Sequence, residues 1–334
     1  MKRLLTTILA LTLISTAFAQ RRTASGMLIL GTGPEMRAVA PFSNRIDCLT
    51  DYANTAMTYA RNFGMGVRVY CMPIPTSSEF YAASEMELTY RQKEAIDYCF
   101  SLFTDTIAPV TPVSLSDMLA KHTNEPIYSR TDHHWQPLGA YYAAQEFAKV
   151  AGVPFRLLDS YNERFVHNFV GTMPSFAKYP ALRNWPEDFV YYTPKDVQYS
   201  ATFIDYTLDR GRQNVISESE EHEADIFREY KDGSSAAYCT FLGGDTKLVS
   251  IKTSTHNGRH LLILKDSFGN ALPSFLLYSF EQICVVDCRY FTKNIIDYAT
   301  EQGITDILFA NNIGHASNSK TTEMYNRYLT QKKK

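Results

Sequence analysis

The sequence has no strong excess of charge of either sign. Its 334 residues include 33 lysines and arginines against 35 aspartates and glutamates, so the formal net charge is −2. The only basic run is the C-terminal stretch 332–334, whereas nucleic-acid-binding proteins present a basic stripe or patch. We therefore expect no nucleic-acid partner.

Glycine and proline are also scarce, with 16 and 14 residues respectively, while 45% of the residues are hydrophobic and 20% are charged. This composition excludes collagen-like and intrinsically disordered chains. The length is about twice that of a typical domain, which favours one large α/β domain or a domain that carries a sizeable insertion.

The six cysteines do not form the pattern of a disulfide scaffold. Cys71 lies in an apolar strand pattern, and Cys48 and Cys99 lie in helical patterns, where cysteine behaves as a small buried hydrophobic residue. Cys284 and Cys288 would lie ~13 Å apart on an extended strand, which is too far for a bridge. The sequence does not decide whether a disulfide joins distant segments.

No apolar run reaches the ~20 residues that a bilayer-spanning helix needs. The N-terminal run, residues 4–13, follows Lys2 and Arg3 and precedes Ala17-Phe18-Ala19. This succession of charged, apolar and small residues is typical of a secretory signal peptide. We predict a signal peptide over residues 1–19 and an extracytoplasmic mature protein, periplasmic or secreted, without a transmembrane segment. A retained, uncleaved anchor is the alternative.

Strand-like and helix-like segments alternate in both halves of the chain, which predicts a mostly parallel sheet with crossover helices in a single domain over residues 20–334. Residues 152–236 break this pattern, because aromatic residues, prolines and charges are mixed there without a helical period. We interpret this segment as an irregular, β-containing insertion. Its aromatic residues either pack on the main sheet or line a sugar-binding surface.

In open α/β sheets, ligands bind beyond the carboxyl ends of the strands. The residues that directly follow the predicted strands here are of types that take part in catalysis and ligand binding. Ser267 lies between the apolar run 261–264 and a helix-like segment. At such a turn its hydroxyl is exposed and backbone N–H groups can stabilise an oxyanion. Ser267 is therefore a candidate nucleophile; the alternative is that it only caps the helix.

A candidate base and its partner lie in the polar loop before the helix-like segment 139–150. His134 would take the serine proton, and Asp132 would hold the tautomer of the imidazole. The competing interpretations are a solvated loop or a helix cap. A metal site that adds His256 and His260 would need distant segments to meet and lacks the helical H-E-x-x-H frame.

These motifs resemble a known family. The strings TDHHW at 131–135, GAY at 139–141 and KDSFGN at 265–270 are similar to the DHHW protein family, a branch of the SGNH hydrolase superfamily related to periplasmic proteins that O-acetylate alginate. The resemblance implies a flavodoxin-like three-layer α/β fold in which the Asp-x-His-Trp element precedes the Asp-Ser element, a permuted order. It also implies Ser267 as nucleophile, His134 as base and Asp132 as the orienting carboxylate.

The resemblance further implies which residues hold the oxyanion or contact the substrate. The asparagine of the third SGNH block corresponds to Asn311 or Asn312, and both follow the strand-like run 306–310. Arg289 lies where the second oxyanion donor region would be, with Gly244 as an alternative. Asn270, at the end of the KDSFGN string, is a further candidate.

We therefore predict an exported serine-dependent O-acyltransferase or acyl esterase that acts on O-acyl groups, such as acetyl groups, of a surface or extracellular glycan. Its partners would be an acylated glycan or an acyl donor, and the chemistry needs no cofactor and no metal. The alternative is a non-catalytic glycan-binding or assembly protein that keeps the fold. The tyrosine-rich segment 152–236 favours it, as does Lys265, which stands where ordinary SGNH enzymes have glycine.

Overall fold

The computed structural model describes residues 21–82 and 89–332, and the predicted signal peptide lies outside this part of the chain. The strands are β1 Arg21–Arg22, β2 Leu28–Leu30, β3 Arg37–Val39, β4 Arg68–Cys71, β5 Val110–Pro112, β6 Tyr161–Phe169, β7 Glu187–Pro194, β8 Tyr199–Leu208, β9 Val215–Glu218, β10 His222–Glu223, β11 Lys247–Thr253, β12 His260–Lys265, β13 Gln282–Asp287 and β14 Asp306–Ala310. The α-helices are α1 Ile46–Phe63, α2 Ser77–Tyr81, α3 Gln92–Ser101, α4 Ser116–Ala120, α5 Pro137–Ala151, α6 Met173–Phe176, α7 Leu272–Leu276, α8 Ile295–Glu301, α9 Ile313–Ala316 and α10 Ser319–Thr330.

Nine of the described strands form the central sheet, in the order β10-β8-β11-β13-β12-β14-β4-β5 with β9 paired to β8. The strands from β13 to β5 run parallel to one another. The strands β11, β8, β9 and β10 extend this parallel part as antiparallel strands. The fold is thus α/β with a mostly parallel central sheet, and the prediction from the sequence is confirmed.

The parallel strands have a circularly permuted flavodoxin-like order. A flavodoxin-like sheet has the spatial order 2-1-3-4-5. If β12, β13, β14, β4 and β5 are numbered 1 to 5 in that sequence, their spatial order in this sheet, β13-β12-β14-β4-β5, is also 2-1-3-4-5. Ligands bind at the switch point between strands 1 and 3 of such a sheet, which correspond to β12 and β14. The loop that follows β12 therefore lies where a ligand is expected.

The central strand β12 explains why the fold has three layers. Its side chains alternate between the two faces of the sheet, so Leu261 and Ile263 join one hydrophobic core and Leu262 and Leu264 join the other. A strand that is buried on both faces reads as a continuous apolar run. Helices α5 and α7 cover the first face, and α1, α3, α8 and α10 cover the second.

The segment 152–236 contributes to two sheets. Strands β6 and β7 form a separate two-stranded antiparallel sheet whose aromatic residues pack on the first core, while β8, β9 and β10 continue the central sheet. Helix α5 ends at Ala151, and Gly152, the first residue of this segment, caps it in a left-handed conformation with φ of 65°. Glycine commonly takes this conformation at the C-terminal end of a helix.

The described part of the chain contains no helix that is both long enough and apolar enough to cross a membrane. The six cysteines are free thiols, and all except Cys239 are buried.

Candidate active site

Ser267, His134 and Asp132 form one hydrogen-bonded chain. Nε2 of His134 lies 2.8 Å from Oγ of Ser267, and Nδ1 of His134 lies 2.6 Å from Oδ1 of Asp132. Because an ionised carboxylate only accepts hydrogen bonds, Nδ1 carries the imidazole proton and Nε2 is left to accept the serine proton. This is the arrangement that activates a serine hydroxyl for acyl transfer.

The loop that carries Asp132 and His134 is held by Glu187, the first residue of β7. Oε1 of Glu187 accepts hydrogen bonds from Oγ of Ser129 at 2.6 Å and from N and Oγ1 of Thr131 at 2.7 and 2.6 Å. A carboxylate that receives several donors fixes a loop strongly. The segment 152–236 therefore supports the geometry of the triad.

Asp132 is buried, and both of its oxygens have partners. Oδ2 accepts hydrogen bonds from N and Oγ1 of Thr172, both at 2.8 Å. Burial opposes ionisation, but the imidazole of His134 and these donors hold the pKa of Asp132 well below its usual range. Gly171 leaves the space for the carboxylate, since a Cβ at this position would come within 2.3 Å of Oδ2.

The imidazole of His134 is fixed by a stacked aromatic ring. The ring of Tyr238 lies parallel to it, with centroids 3.8 Å apart and an interplanar angle of 6°. The hydroxyl of Tyr238 donates to the carbonyl of Phe268 at 2.9 Å and accepts from Nε1 of Trp135 at 3.0 Å. Tyr238 thereby joins Trp135, next to His134, to Phe268, next to Ser267.

Ser267 begins a short 3-10 helix directly after β12, and Asp266 caps that helix. Oδ1 of Asp266 accepts from N of Phe268 at 2.8 Å, and Oδ2 accepts from N of Asn312 at 2.6 Å. The second bond joins the loop after β12 to the end of β14. The turn that carries Ser267 is therefore anchored at the switch point of the sheet.

Neither asparagine after β14 forms a side-chain hydrogen bond with Ser267 among the described contacts. Oδ1 of Asn312 caps α9, and its amide nitrogen takes no part in that cap. Oδ1 of Asn311 accepts from the hydroxyls of Tyr52 and Tyr325 at 2.8 and 2.9 Å, and its Nδ2 is closed off from solvent. The amide of Asn311 is therefore not available to an oxyanion in this conformation, whereas the role expected for Asn312 stays a prediction. The backbone N–H of Ser267 has no acceptor among the described residues.

The side chain of Lys265 forms an ion pair with Asp287. Its ammonium lies 2.7 Å from Oδ2 of Asp287, and its stem packs against Gly269, where a Cβ would come within 2.4 Å. Arg289 donates from Nε to the other oxygen of Asp287 at 2.7 Å. Burial opposes ionisation, yet the two cations hold the pKa of Asp287 well below its usual range. Lys265 is thus half of a buried ion pair beneath the site.

Arg289, Asn270 and Gly244 meet at Asp245 rather than at Ser267. Nη2 of Arg289 lies 2.9 Å from Oδ2 of Asp245, and Nδ2 of Asn270 donates to Oδ1 at 2.8 Å. Gly244 precedes this carboxylate with φ of 109°, and its N–H donates to the carbonyl of Phe241 at 3.3 Å. These residues form no hydrogen bond with Ser267, because the side chains of Arg289 and Asn270 are held by the carboxylate of Asp245.

One group of side chains has the composition of a metal site. Ligand atoms of Asp132, His133 and His134 lie within 4.8 Å of one another. Neither His256 nor His260 belongs to this group. His260 is the first residue of β12, at the opposite end of that strand from Ser267, and its Nδ1 bonds to the carbonyl of Gln302 at 3.0 Å. Asp132 and His134 lie close together because they are hydrogen-bonded to each other.

Several residues that build the site were missed by the sequence analysis. Thr172, Gly171 and Glu187 lie in the segment 152–236, and Tyr238 follows it directly. They act through hydrogen bonds and close packing with the loop of Asp132 and His134, and no motif or period marks them in the sequence. Nothing in the sequence pattern distinguishes Tyr238 from the other tyrosines.

The fold is thus an SGNH-type α/β fold with a mostly parallel central sheet. The chain belongs to the DHHW protein family, whose family model matches residues 17–286. It is similar to the crystal structure of a DHHW family protein from Eubacterium siraeum, with 33% identity, a TM-score of 0.81, and coverage of 94% of this chain and 99% of that one.

The fold is also similar to that of PatB1 from Bacillus cereus, for which one structure carries a sulfonyl adduct. For that structure the identity is 21%, the TM-score is 0.65, and 88% of this chain and 96% of that chain are covered. A second structure of PatB1 has 20% identity at the same TM-score of 0.65. No curated protein sequence matches the chain.

Proposed function

We propose that this protein is an exported serine-dependent O-acyltransferase or acyl esterase that acts on O-acetyl groups of a surface or extracellular glycan. The observation that carries the proposal is the hydrogen-bonded chain from Ser267 through His134 to Asp132. The relationship to the DHHW family protein of Eubacterium siraeum supports the fold, and the geometry of the site supports the chemistry.

In the first half of the reaction, Oγ of Ser267 attacks the carbonyl carbon of an acyl ester. Nε2 of His134 takes the serine proton, and Asp132 stabilises the resulting imidazolium. The backbone N–H of Ser267 donates to the developing oxyanion. The bond between the acyl carbon and the leaving alcohol then breaks, and His134 returns the proton to that alcohol, which leaves an acyl ester on Ser267.

In the second half, a hydroxyl group attacks the acyl carbon of this intermediate. His134 takes its proton and passes it to Oγ of Ser267 as the bond between the acyl carbon and Ser267 breaks. Water as the attacking group gives hydrolysis, and a glycan hydroxyl gives transfer. Both outcomes use the same three residues.

The proposal is tested by labelling the protein with phenylmethylsulfonyl fluoride, which reacts with activated serines, and mapping the adduct by mass spectrometry. We expect an adduct on Ser267, and turnover of 4-nitrophenyl acetate that the label abolishes. Ser267→Ala should lose both and stay folded, because Asp266 caps the helix and the lost hydrogen bond to His134 contributes only about 1 kcal/mol. Unchanged turnover in Ser267→Ala would refute the proposal, and a folded protein without labelling or turnover would favour the glycan-binding alternative.

A further inference from the structure

A row of four aromatic rings in contact runs from the core of the protein past His134 to the surface; the first pair is stacked and the next two pairs are tilted by 39° and 46°. It begins at the buried Tyr238 and continues through His134 to His133, whose ring centroid lies 3.7 Å from that of His134. The ring of Phe176, at the end of α6, follows with its centroid 5.4 Å from that of His133. The last two members are not needed to activate Ser267, so their placement calls for another explanation.

The hydrogen bonds around Thr172 determine which nitrogen of His133 carries a proton. Oγ1 of Thr172 donates its only proton to the ionised Asp132, and it lies 2.8 Å from Nδ1 of His133. Thr172 therefore accepts from Nδ1–H, which leaves Nε2 of His133 unprotonated. No group among the described residues forms a hydrogen bond with this Nε2 atom, so it is an acceptor without a donor.

His133 keeps this acceptor at neutral pH. Burial of the ring and then the neighbouring His134 lower the pKa of His133 to about 4. A third of its side chain is nevertheless exposed, so a molecule that approaches the triad from solvent can contact the ring. A neutral imidazole with a free lone pair suits a hydroxyl donor rather than an anion.

Phe176 adds an apolar surface beside this acceptor. Its side chain is 49% exposed, although a large aromatic ring usually gains by burial. The C–H groups of one face of a pyranose ring pack against such a surface, while the hydroxyl groups at the edge of the sugar remain free to form hydrogen bonds. An acceptor atom and an exposed ring beside an acyl-serine site are thus complementary to a sugar.

We propose that His133 and Phe176 form an acceptor subsite, in which the pyranose that receives the acyl group stacks on Phe176 and donates a hydroxyl hydrogen bond to Nε2 of His133. This inference rests on the proposed function and adds the group that deacylates the enzyme. The hydroxyl that attacks is a neighbour of the one bound to His133. Its proton goes to His134 and then to Ser267, so His133 positions the sugar and transfers no proton.

The subsite separates two activities that share the acyl-enzyme. Acylation of Ser267 by 4-nitrophenyl acetate and hydrolysis by water do not use it, whereas transfer to a sugar does. Loss of one hydrogen bond or of one stacking surface should therefore weaken transfer by up to about tenfold each, and should leave release of 4-nitrophenol without a sugar nearly unchanged.

The experiment measures acetyl transfer from 4-nitrophenyl acetate to soluble cello-, chito- and uronate oligosaccharides, with the products followed by mass spectrometry. His133→Asn keeps a nitrogen near Nδ1 for Thr172 and removes the Nε2 acceptor, whereas His133→Gln places an oxygen near Nε2. Phe176→Ala removes the ring, and Phe176→Trp keeps one. The matched control is Phe165→Ala, because Phe165 is 47% exposed and stacks on His167, a histidine outside the triad.

We expect His133→Asn and Phe176→Ala to raise the KM for the sugar or lower transfer about tenfold, with normal labelling of Ser267. His133→Gln and Phe176→Trp should restore part of the transfer, and Phe165→Ala should behave as the wild type. Wild-type transfer in both loss variants would overturn the subsite, as would a wild type that labels at Ser267 but acetylates none of the sugars. Failure of the proposed function itself would appear differently, as loss of the Ser267 label or of its effect on turnover.

Discussion

Nε2 of His134 lies 2.8 Å from Oγ of Ser267, although the two residues are 133 positions apart in the sequence. The histidine belongs to the loop before α5, and the serine follows β12 at the switch point of the permuted sheet. The distance therefore depends on how the loop is held against the sheet, and the residues that hold it are the ones to change first.

Asp132→Asn should reduce acylation of Ser267 by about 10²- to 10⁴-fold, because an amide no longer enforces the tautomer with the proton on Nδ1 of His134. The fold should be kept, since the side chain still accepts from Thr172. The measurement is the rate of 4-nitrophenol release. The matched control is Asp188→Asn, which changes an exposed aspartate 3.0 Å from Nδ1 of His167; a similar loss there would contradict a special role for Asp132.

Gly171→Ala should slow the acylation of Ser267 although it replaces none of the three residues Ser267, His134 and Asp132. The added Cβ would come within 2.3 Å of Oδ2 of Asp132, so the carboxylate must move and His134 loses its fixed orientation. We expect a loss of about 10²-fold in acylation rate, the size of effect that follows a displacement of about 1 Å in a reacting group. Gly66→Ala is the control, because a Cβ there meets no atom within 4 Å; equal rates in both variants would contradict the prediction.

The α/β fold class could be predicted largely from the sequence, because the patterns that indicate strands and helices extend over only a few neighbouring residues. The run Leu261 to Leu264 is apolar at every position, since alternate side chains enter different cores, and this pattern is typical of a strand buried on both faces. Strand order depends on long-range pairing that periodicity does not encode. The family resemblance implies a permuted order of the motifs, with the Asp-x-His-Trp element before the Asp-Ser element, and gives no strand order.

The candidate site was predictable only in part. Ser267, His134 and Asp132 stand in compact strings, so residue type and spacing indicated them. The roles of Asn311 and Asn312 could not be derived in the same way, because they depend on partners far along the chain, such as Tyr52 for Asn311. Both asparagines follow the right strand, but the side chain of Asn311 is buried against two tyrosines, and the oxygen of Asn312 caps α9.

The N-terminal residues should be removed on export. The succession of Lys2 and Arg3, an apolar run and Ala17-Phe18-Ala19 predicts cleavage after Ala19, so the exported protein should begin near Gln20. The measurement is N-terminal sequencing of the protein recovered outside the cytoplasm after expression of the full chain. Exported protein that still begins at Met1 would support the anchored form instead.

Asp287→Asn should destabilise the protein by about 3–5 kcal/mol, because it leaves the buried ammonium of Lys265 and the guanidinium of Arg289 without their shared carboxylate. Urea unfolding of both proteins measures the difference. The control is Asp97→Asn, which removes an exposed partner of Lys93 at 2.9 Å and should cost no more than about 1 kcal/mol. Lys265→Met combined with Asp287→Asn should recover part of the loss.

The stabilisation by Asp287 should also depend on pH in a defined direction. Lys265 and Arg289 hold the pKa of Asp287 in the folded protein below its usual range, so the folded state binds the proton less tightly than the unfolded state. The contribution is complete above the pKa of an unfolded aspartate, about 3.9, and is lost as the pH falls below that value. The difference in free energy of unfolding between the wild type and Asp287→Asn should therefore be constant from about pH 7 to 5 and shrink toward pH 3. A difference that stays constant to pH 3 would mean that the aspartate is not held ionised by its two cations. A difference that grows on acidification would mean that the pKa of Asp287 is raised, rather than lowered, in the folded protein.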